Sequence, residues 1–335
     1  MPDYDAFLLL SFGGPEGPED VMPFLENVTR GRGIPRERLD EVAEHYYAQG
    51  GVSPINGQCR DMLAAITAAG MDLPAYWGNR NWSPFLTDTV QQMADDGVEH
   101  AVAFVTSAYS SYSACRQYLD DIERAVATVG PRAPKIDKIR PYYSHPGFIE
   151  QFAANTAAAL ATLPADVRDN ARLVFTAHSI PLAMAATSGS VSAGTARPGA
   201  VGGRYAEELS EAARLITERV RGDSAHDLVW QSRSGPPSVP WLEPDICDHL
   251  QALAEDRVPA VVVIPVGFVS DHMEVVHDLD TEARSVAESL GMGFARASTP
   301  GSSERFARMV RELIAEGAVG CPADCCRYVP SGRPA

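Results

Sequence analysis

The sequence lacks long apolar runs. A membrane-spanning helix needs roughly 18–20 consecutive apolar residues, and the longest apolar run, 260–269, is shorter and contains Pro265 and Gly267. The amino terminus, 1–5, is acidic where a secretory signal would be basic. We therefore expect a cytoplasmic protein that does not span a membrane.

Basic residues are also scarce: 28 Lys and Arg stand against 44 Asp and Glu, for a net charge of −16. Nucleic acids are bound through a basic face, so this balance argues against a nucleic-acid partner. The glycine-rich segment 12–17 lacks the G-x-G-x-x-G and G-K-[ST] patterns of nucleotide-binding loops. An anionic substrate would have to be held by a local group of arginines.

Short apolar runs recur along the chain and alternate with segments of helical apolar spacing. The predicted strands are 6–11, 75–78, 101–106, 136–140, 172–177, 227–231, 260–266 and 294–297. The clearest predicted helices are 36–49, 86–96, 115–129, 145–163, 204–221 and 304–316. Because four strands fall on each side of residue 142, we predict an α/β fold of two similar doubly wound lobes. Each lobe would have a four-stranded parallel sheet flanked by helices.

The chain of 335 residues is long enough for two hydrophobic cores, since single cores stop growing near ~250–300 residues. We predict an N-terminal lobe at 1–142 and a C-terminal lobe at 143–301. The last helix, 302–320, is expected to pack back on the first lobe. The segment 185–203, rich in Gly, Ser, Ala and Thr, is predicted to be a flexible loop, and 321–335 a cysteine-rich tail.

His178 is the first candidate functional residue. It lies in T-A-H-S-I-P directly after a predicted strand, where a doubly wound fold places its sites, and Pro181 turns the chain sharply after it. An imidazole at this edge is suited to proton transfer or metal binding. The alternative is a core histidine whose ring is bonded to the backbone.

An acidic series follows the strongest predicted strand. Glu274, Asp278 and Glu282 are spaced by four, beside His272 and His277. On a π-helical turn their side chains would align, and such turns are frequent at functional sites. Carboxylates beside imidazoles attract divalent cations and accept protons. The alternative is a solvated acidic helix face.

Basic and aromatic residues form a third candidate group in the first lobe. Guanidinium and hydroxyl groups hold carboxylates, and tyrosine rings cover flat apolar surfaces. The group consists of Arg30, Tyr46, Tyr112, Tyr118 and the segment 50–56, which contains Ser53. By composition alone these are ordinary surface arginines and half-buried tyrosines.

Cysteines form the fourth candidate group. Six cysteines in a chain expected to be cytoplasmic do not indicate a disulfide framework. The three in the tail are Cys321, Cys325 and Cys326. With a fourth thiolate from one of the other cysteines, they would suit zinc or an iron–sulfur cluster. The alternative is a reduced, disordered tail.

Ordered segments across nearly the whole chain resemble the ferrochelatase family. They are L-L-L-S-F-G-G-P at 8–15, G-G-V-S-P-I-N at 50–56, T-A-H-S-I-P at 176–181, W-Q-S-R-S-G-P at 230–236, P-W-L at 240–242 and V-G-F-V-S-D-H-M-E-V at 266–275. The resemblance implies a chelatase-like fold of two Rossmann-like lobes with a porphyrin cleft between them. The strand count reached independently is consistent with this fold.

The resemblance also implies roles for individual residues. The family's invariant histidine and glutamate fall on His178 and Glu274, which are expected to bind the Fe²⁺ substrate and to face each other across the porphyrin. Asp278 continues the acidic series as an expected relay for protons or metal. The expected porphyrin contacts are Phe12, Arg30, Tyr46, Ser53, Tyr112 and Tyr118.

The start of the chain, through N-V-T-R-G-R-G at 27–33, is similar to actinobacterial members of the family. Their route to haem implies coproporphyrin III, with four propionates, as the porphyrin substrate. Those members often hold a [2Fe–2S] cluster with three ligands from the tail and one internal ligand. The resemblance places these ligands at Cys115, Cys321, Cys325 and Cys326.

Three alternatives stay open at the level of sequence. The substrate would be protoporphyrin IX in other members of the family, and a related chelatase would insert cobalt or nickel into another tetrapyrrole. A haem or iron–sulfur carrier would use His178 as an axial ligand and catalyse nothing. We expect a monomer that contacts the next enzyme of the haem pathway only transiently.

Overall fold

The computed structural model describes residues 3–31, 33–190, 192, 194, 202–235 and 237–328. Within them, eight strands form two four-stranded parallel sheets with the same strand order, β2-β1-β3-β4 and β6-β5-β7-β8. The strands are β1 (Ala6–Ser11), β2 (Ala75–Asn79), β3 (His100–Val105), β4 (Lys135–Lys138), β5 (Arg172–His178), β6 (His226–Gln231), β7 (Ala260–Ile264) and β8 (Gly293–Arg296). The predicted α/β fold of two doubly wound halves is confirmed.

Helices flank both sheets. They are α1 (Pro18–Val28), α2 (Arg36–Ala48), α3 (Pro54–Ala68), α4 (Leu86–Asp95), α5 (Gln117–Val129), α6 (Pro146–Thr162), α7 (Ala165–Arg168), α8 (Leu182–Ala186), α9 (Gly203–Arg221), α10 (Ile246–Glu255), α11 (Met273–Val275), α12 (Arg284–Ser289) and α13 (Glu304–Glu316). Two π-helices lie at Tyr112–Arg116 and Val276–Ala283. No helix in the described parts of the chain is long and apolar enough to cross a membrane.

Most predicted boundaries agree with the structure within two residues, and the differences have local causes. β5 includes His178 as its last residue, because the backbone of this residue still pairs with Gln231 of β6. β7 ends at Ile264, since Pro265 has no N–H to continue the ladder. The predicted helix 115–129 begins instead with the first π-helix, whose N-cap Ser111 accepts a hydrogen bond from the N–H of Ala114.

Side chains of β1 alternate between two hydrophobic clusters, as a strand buried on both faces requires. Leu8 and Leu10 pack on one face of the sheet with residues of α4 and α5. Phe7 and Leu9 pack on the other face, in a cluster that also contains residues of α3, α6 and α13. The second sheet contributes to this same cluster, so the largest core is continuous between the two sheets. The division into lobes at residue 142 stays an interpretation.

A smaller cluster joins the two halves near the carboxyl ends of the strands. Phe24 of α1 and Tyr46 of α2 pack with Met273, which lies directly before Glu274. The α1–α2 pair therefore lies against the acidic segment of the second half. Nine residues of the predicted flexible loop, 191, 193 and 195–201, lie outside the described residues, as do 329–335 of the tail.

Candidate active site

His178 lies at the carboxyl end of β5, with its ring oriented by the backbone. Its Nδ1 is 2.5 Å from the carbonyl oxygen of Ser179, and its own carbonyl accepts a hydrogen bond from the hydroxyl of Tyr205 at 3.1 Å. Since a carbonyl only accepts, Nδ1 carries a proton, and the lone pair of a neutral ring would lie at Nε2. Nε2 lies 3.6 Å from Oε2 of Glu274. The free nitrogen is thus directed at the second predicted catalytic residue.

Glu274 is located between two histidines. Its Oε2 is 3.6 Å from Nε2 of His178 and 3.8 Å from Nδ1 of His272, and half of its side chain is exposed. Burial lowers the pKa of His272, while the nearby Glu274 carboxylate raises it. In the sequence, His272 was identified beside the acidic series, but no role was predicted for it. Its position two residues before Glu274 was the feature that could have indicated a place in the site.

The acidic series continues from a short α-helix onto a π-helix. Glu274 belongs to α11, and Asp278 and Glu282 follow within Val276–Ala283. Asp278 accepts hydrogen bonds from the Ser232 hydroxyl and, at 3.2 Å, from Nε2 of Gln231. The pKa of Asp278 is raised to about 6, chiefly by burial; the Ser232 hydrogen bond lowers it, and the neighbouring carboxylates of Glu274 and Glu282 raise it. A carboxyl group with this pKa exchanges its proton near neutral pH.

The outer end of the acidic series contacts α2. Nε2 of His277 is 3.4 Å from Oε1 of Glu282. The ring of His277 is stacked on that of His45, with ring centroids 3.7 Å apart. Burial is the largest cause that lowers the pKa of His45, and the neighbouring His277 lowers it further. This contact gives His277 a place in the packing of the two halves.

The facing edge of the first sheet is aromatic and cationic. Phe12 follows β1 and is followed by Gly13, whose φ of +82° favours glycine because an added Cβ would lie 2.8 Å from Cβ of Asn79. Arg80 follows β2, with its guanidinium carbon 5.9 Å from the Phe12 ring centroid and 4.7 Å from that of Tyr118. These residues form a layered surface beside Phe12.

Arg80 was not found from the sequence. Its side chain is only 7% exposed and is paired with Asp121 of α5, which also contacts the exposed Arg124. A lone arginine in a loop carries no spacing signal, and the carboxylate that holds it is 41 residues away. Its position beside Phe12 follows from the pairing of β1 with β2.

The other predicted porphyrin contacts differ in exposure. Arg30, after α1, is exposed, and its side chain forms no ion pair with any described residue. Ser53 is buried at the N-cap of α3. Tyr46 is also buried, and burial with the nearby Glu274 raises the pKa of its phenol. Tyr112 lies on the first π-helix, its ring centroid 6.1 Å from that of Tyr328.

The four predicted cluster cysteines lie together. The thiols of Cys115 and Cys321 are hydrogen-bonded, as are those of Cys321 and Cys325. The Sγ atoms of Cys325 and Cys326 are 3.7 Å apart. The hydrogen bond to Cys321 and burial raise the pKa of Cys115 well above its usual value. These four residues are called the thiol group below.

The remaining cysteines lie apart from the thiol group. Burial raises the pKa of Cys59 to about 11 and that of Cys247 to about 12. Neither thiol interacts with a cysteine of the thiol group, within the hydrogen bonds found among described residues. Of the three internal cysteines, only Cys115 therefore meets the tail.

The tail that carries three of these cysteines is anchored to the loop after α8. The Cys326 N–H donates to the carbonyl of Gly189 at 2.7 Å, and the Gly189 N–H donates to Sγ of Cys326 at 3.2 Å. Asp324 accepts from the hydroxyls of Ser190 and Ser192 and from the Ser192 N–H, which lowers its pKa to about 2. The tail is thus held at a defined position beside Cys115.

The thiol group is not arranged as a preformed site for a single metal ion. No three His, Cys, Asp or Glu side chains in the described ranges converge as ligands of one metal ion. The thiols instead contact one another in a chain of pairs, and a two-iron cluster takes four cysteine thiolates in pairs. The ammonium of Lys138 lowers the pKa of Cys115 against the larger effects of the Cys321 hydrogen bond and burial, and its Nζ donates a hydrogen bond to the carbonyl of Ile139 at 3.0 Å.

Known sequences match the chain over nearly its whole length. The sequence model of the ferrochelatase family matches residues 4–318, which excludes the tail cysteines. The coproporphyrin III ferrochelatase of Nocardia farcinica is 57% identical, over 99% of this chain and 98% of that protein. Those of Mycolicibacterium smegmatis and Streptomyces coelicolor are 55% and 50% identical, over 95% and 97% of this chain and 91% and 96% of those proteins.

Solved structures show the same fold at low identity. SirB from Bacillus subtilis with Fe³⁺ aligns with a TM-score of 0.54 at 13% identity, over 93% of this chain and 96% of that chain. The sirohydrochlorin chelatase SirB of Bacillus subtilis subspecies spizizenii with cobalt aligns with a TM-score of 0.55 at 10% identity and the same coverage. At these identities the likeness concerns the fold alone.

Proposed function

The chain belongs to the ferrochelatase family, and we propose that it inserts Fe²⁺ into coproporphyrin III, giving the iron coproporphyrin of haem biosynthesis. The relatives named for this reaction are 50–57% identical over nearly the whole chain. One geometric observation carries the proposal. Nδ1 of His178 is held by the backbone, so that Nε2 is directed at Glu274. An oriented base beside a carboxylate suits the exchange of protons for a divalent metal.

Metallation replaces the pyrrole protons of the porphyrin by Fe²⁺, so the site must remove protons from nitrogens in the ring. His178 is the residue placed to do this, because its neutral ring has a lone pair at Nε2. The Ser179 carbonyl orients the ring through Nδ1, and the Tyr205 hydroxyl holds the backbone carbonyl of His178. General-base assistance of this kind contributes roughly 10²–10⁴ in rate. We assign His178 as the base or the last protein ligand of the iron.

Glu274 and His272 form the opposing side of the proposed site. The 3.6 Å between Nε2 of His178 and Oε2 of Glu274 is a direct contact. A flat ring between two atoms needs roughly 7 Å, twice the usual contact distance. Binding of porphyrin between them therefore requires the two side chains to move apart. Glu274 is the more exposed of the two and lies on a three-residue helix.

Asp278 is placed to pass protons or iron along the π-helix. Its pKa of about 6 means that the carboxyl group is partly protonated near neutral pH. It follows Glu274 by four residues and is fixed by Ser232 and Gln231 at the end of β6. A proton taken at Glu274 can thus be transferred outward through Asp278 towards the exposed Glu282.

The first half of the molecule is proposed to bind the porphyrin. Phe12 offers an apolar ring at the edge of the sheet, and the exposed guanidinium of Arg30 is available to a propionate. Ser53 and Tyr112 lie on segments that border the same edge. Binding energy from the propionates can offset the strain of a distorted ring, of order 1–5 kcal/mol in typical cases.

Enzyme and carrier are distinguished by turnover. The protein is incubated anaerobically with Fe²⁺ and a tenfold excess of coproporphyrin III, and the metallated porphyrin is quantified by mass spectrometry. We expect many metallated molecules per chain. Product that stops at one molecule per chain would contradict the enzyme and indicate a carrier. Preferential insertion of cobalt or nickel over iron would indicate a different chelatase.

We further propose that the thiol group holds a [2Fe–2S] cluster. The ligands would be Cys115, Cys321, Cys325 and Cys326, and the pairwise contacts of their thiols support this assignment. When bound, such a cluster supplies a one-electron redox centre and links the tail to the first π-helix. The residues of the chain would contribute the thiolates and the tail anchor at Asp324.

The cluster is tested by counting iron and acid-labile sulfide in anaerobically purified protein. We expect about equal amounts of each, and their loss together with the brown colour in Cys325→Ser. Cys247→Ser is the matched control, because this half-buried thiol lies outside the thiol group. Zinc in place of iron, or equal cluster content in both variants, would contradict the assignment.

Several expectations from the sequence remain predictions. They are the cytoplasmic location, the monomeric state and the transient contact with the next enzyme of the haem pathway. Sedimentation of the purified protein across a range of concentrations tests the oligomeric state. A mass that rises with concentration towards that of a dimer would contradict the monomer.

A further inference from the structure

One arginine holds both ends of the segment that carries Glu274. Arg296 is the last residue of β8, and its side chain is 15% exposed. Its Nη1 and Nη2 donate to Oδ1 and Oδ2 of Asp271 at 3.1 and 3.3 Å. Its Nε donates to Oδ1 of Asp280 at 2.7 Å. A planar guanidinium fixes the direction of its carboxylate partners as well as their distance.

The residues between these two carboxylates belong to the candidate active site. The segment 271–280, called the clamped segment below, contains His272, Glu274 and Asp278. It begins before α11 and continues onto the π-helix Val276–Ala283. A helix of this rare type persists where contacts outside it hold it. The position of Glu274 therefore depends on what holds the two ends of the clamped segment.

The amino end of the clamped segment is also held from the first half of the molecule. The N–H of Asp271 donates to Oε1 of Gln58 on α3 at 2.7 Å. Met273, two residues later, packs against α1 and α2. Asp271 is thus bound by Gln58 through its backbone and by Arg296 through its carboxylate. Arg296 completes a network that joins α3, the clamped segment and β8.

A second arginine contacts only the far end of the clamped segment. Nη2 of Arg284 lies 3.8 Å from Oδ1 of Asp280, and the Arg284 side chain is 41% exposed. Its guanidinium carbon lies 4.8 Å from the ring centroid of Phe294. Among the ion pairs of the described residues, Asp271 is paired with Arg296 alone. Arg296 is therefore the cation that the two ends share.

We propose that Arg296 is a positioning residue for metallation: by fixing both ends of the clamped segment, it places Glu274 opposite His178. This inference rests on the proposed function. Entry of the porphyrin requires these two side chains to move apart, and a segment fixed at both ends limits that movement to the residues between them. Misplacing a reacting group by about 1 Å can cost on the order of 100-fold in rate. Loss of Arg296 should therefore lower the rate of metallation more than the affinity for porphyrin.

The test compares wild type with Arg296→Gln in anaerobic metallation assays with saturating Fe²⁺ and varied coproporphyrin III. Glutamine removes the charge and the planar fork of donors. We expect kcat to fall by at least about tenfold, while the KM for coproporphyrin III stays within about threefold of wild type. Arg296→Lys keeps the charge without the fork, so its kcat should lie between those of Arg296→Gln and wild type.

Arg172→Gln is the matched control. Arg172 begins β5, at the opposite edge of the same sheet, and its side chain is 31% exposed. It is paired with Asp227 of β6 at 3.0 Å. Its loss should lower stability to urea and leave kcat within about twofold of wild type. An equal fall of kcat in Arg172→Gln and Arg296→Gln would show that any lost ion pair in this sheet slows the reaction, and would overturn the proposal.

The outcomes separate this inference from the proposed function. Turnover by wild type with an unchanged kcat in Arg296→Gln overturns the role of Arg296 and leaves the enzyme standing. A KM that rises as much as kcat falls would assign Arg296 to porphyrin binding and would also overturn this role. Wild-type protein without turnover overturns the proposed function and the role of Arg296 with it.

A second variant decides if Arg296→Gln does not fold. Asp280→Asn keeps the pair of Arg296 with Asp271 and loosens only the far end of the clamped segment. Asp280 is 28% exposed, so this change leaves no fully buried charge unpaired. A kcat lowered several-fold at unchanged KM supports the positioning role, and a wild-type kcat overturns it.

Discussion

The two sheets have the same strand order, yet the residues at their carboxyl edges differ in kind. After β1 and β2 the first sheet presents Phe12 and Arg80, an apolar ring and a buried guanidinium. In the second sheet the equivalent strands are β5, which ends at His178, and β6, which is followed by Ser232. The Ser232 hydroxyl donates a hydrogen bond to Asp278. One edge carries an apolar ring and a guanidinium, and the other carries an imidazole and a carboxyl group. On the proposed function, the first edge would bind the porphyrin and the second would exchange protons.

The largest effect is expected for His178→Ala. If the second edge alone exchanges protons, this variant should lose metallation by a factor of roughly 10²–10⁴ while still binding porphyrin. Anaerobic metallation rates and porphyrin binding by quenching of tryptophan fluorescence measure the two separately. His226→Ala is the control, because His226 begins β6 at the opposite edge of the same sheet. Equal loss of binding and rate would break the division of roles.

A second, smaller effect is expected at the first edge. Arg80→Met removes one partner of a buried ion pair, a change that typically costs 3–5 kcal/mol. Because Arg124 remains beside Asp121, we expect a loss of about 3 kcal/mol in the free energy of unfolding, measured by urea denaturation. The KM for porphyrin should rise, while kcat stays within about threefold of wild type.

The control for Arg80→Met is Arg36→Met. Arg36 is exposed and paired with Glu26 and Asp40, so its loss should cost less than about 1 kcal/mol. A kcat for Arg80→Met as low as that of His178→Ala would contradict the comparison. The first edge would then take part in the chemical step.

The smallest effect is expected for Asp278→Asn and depends on pH. The folded pKa of Asp278, about 6, lies above the usual carboxyl value, so the folded state holds its proton more tightly than the unfolded state. The stability of wild type relative to the variant therefore falls as pH rises from about 4 to 6. At pH 8 Asp278→Asn should be more stable by about 1–2 kcal/mol, after allowance for solvent screening. At pH 4.5 the difference should be much smaller.

Thermal unfolding at the two pH values measures this prediction. Glu282→Gln is the control, since Glu282 lies on the same π-helix with an exposed side chain. If the deprotonated carboxylate of Asp278 accepts protons during metallation, kcat of wild type should rise as pH increases through 6. This rise should be weaker in Asp278→Asn. A stability difference that is the same at pH 4.5 and pH 8 would contradict the proposed protonation of Asp278.

The sequence predicted the scaffold well because the local signals were strong. The run A-V-V-V-I of β7 is fully buried and, apart from its alanine, β-branched. The strand ends directly before Pro265, which has no N–H to continue the ladder. The sequence analysis named a π-helical turn as the arrangement that would align the acidic series, and Asp278 and Glu282 lie on the π-helix Val276–Ala283. These features depend on neighbours in the chain.

Features that depend on distant contacts were not predicted. Arg80, in the loop after β2, is held by Asp121 of α5. The choice of Cys115 among three internal cysteines came from resemblance, and the hydrogen bond between the Cys115 and Cys321 thiols now supports it geometrically. Spacing along the chain carries no information about such pairs.

The most direct test of the account is a competition in one vessel. Equal amounts of coproporphyrin III and protoporphyrin IX are offered anaerobically with limiting Fe²⁺ and catalytic amounts of the protein, and the two metallated products are separated and quantified. The account predicts catalytic turnover with iron coproporphyrin III as the dominant product. Iron protoporphyrin as the main product would contradict the substrate, and binding of both porphyrins without metallation would contradict the enzyme.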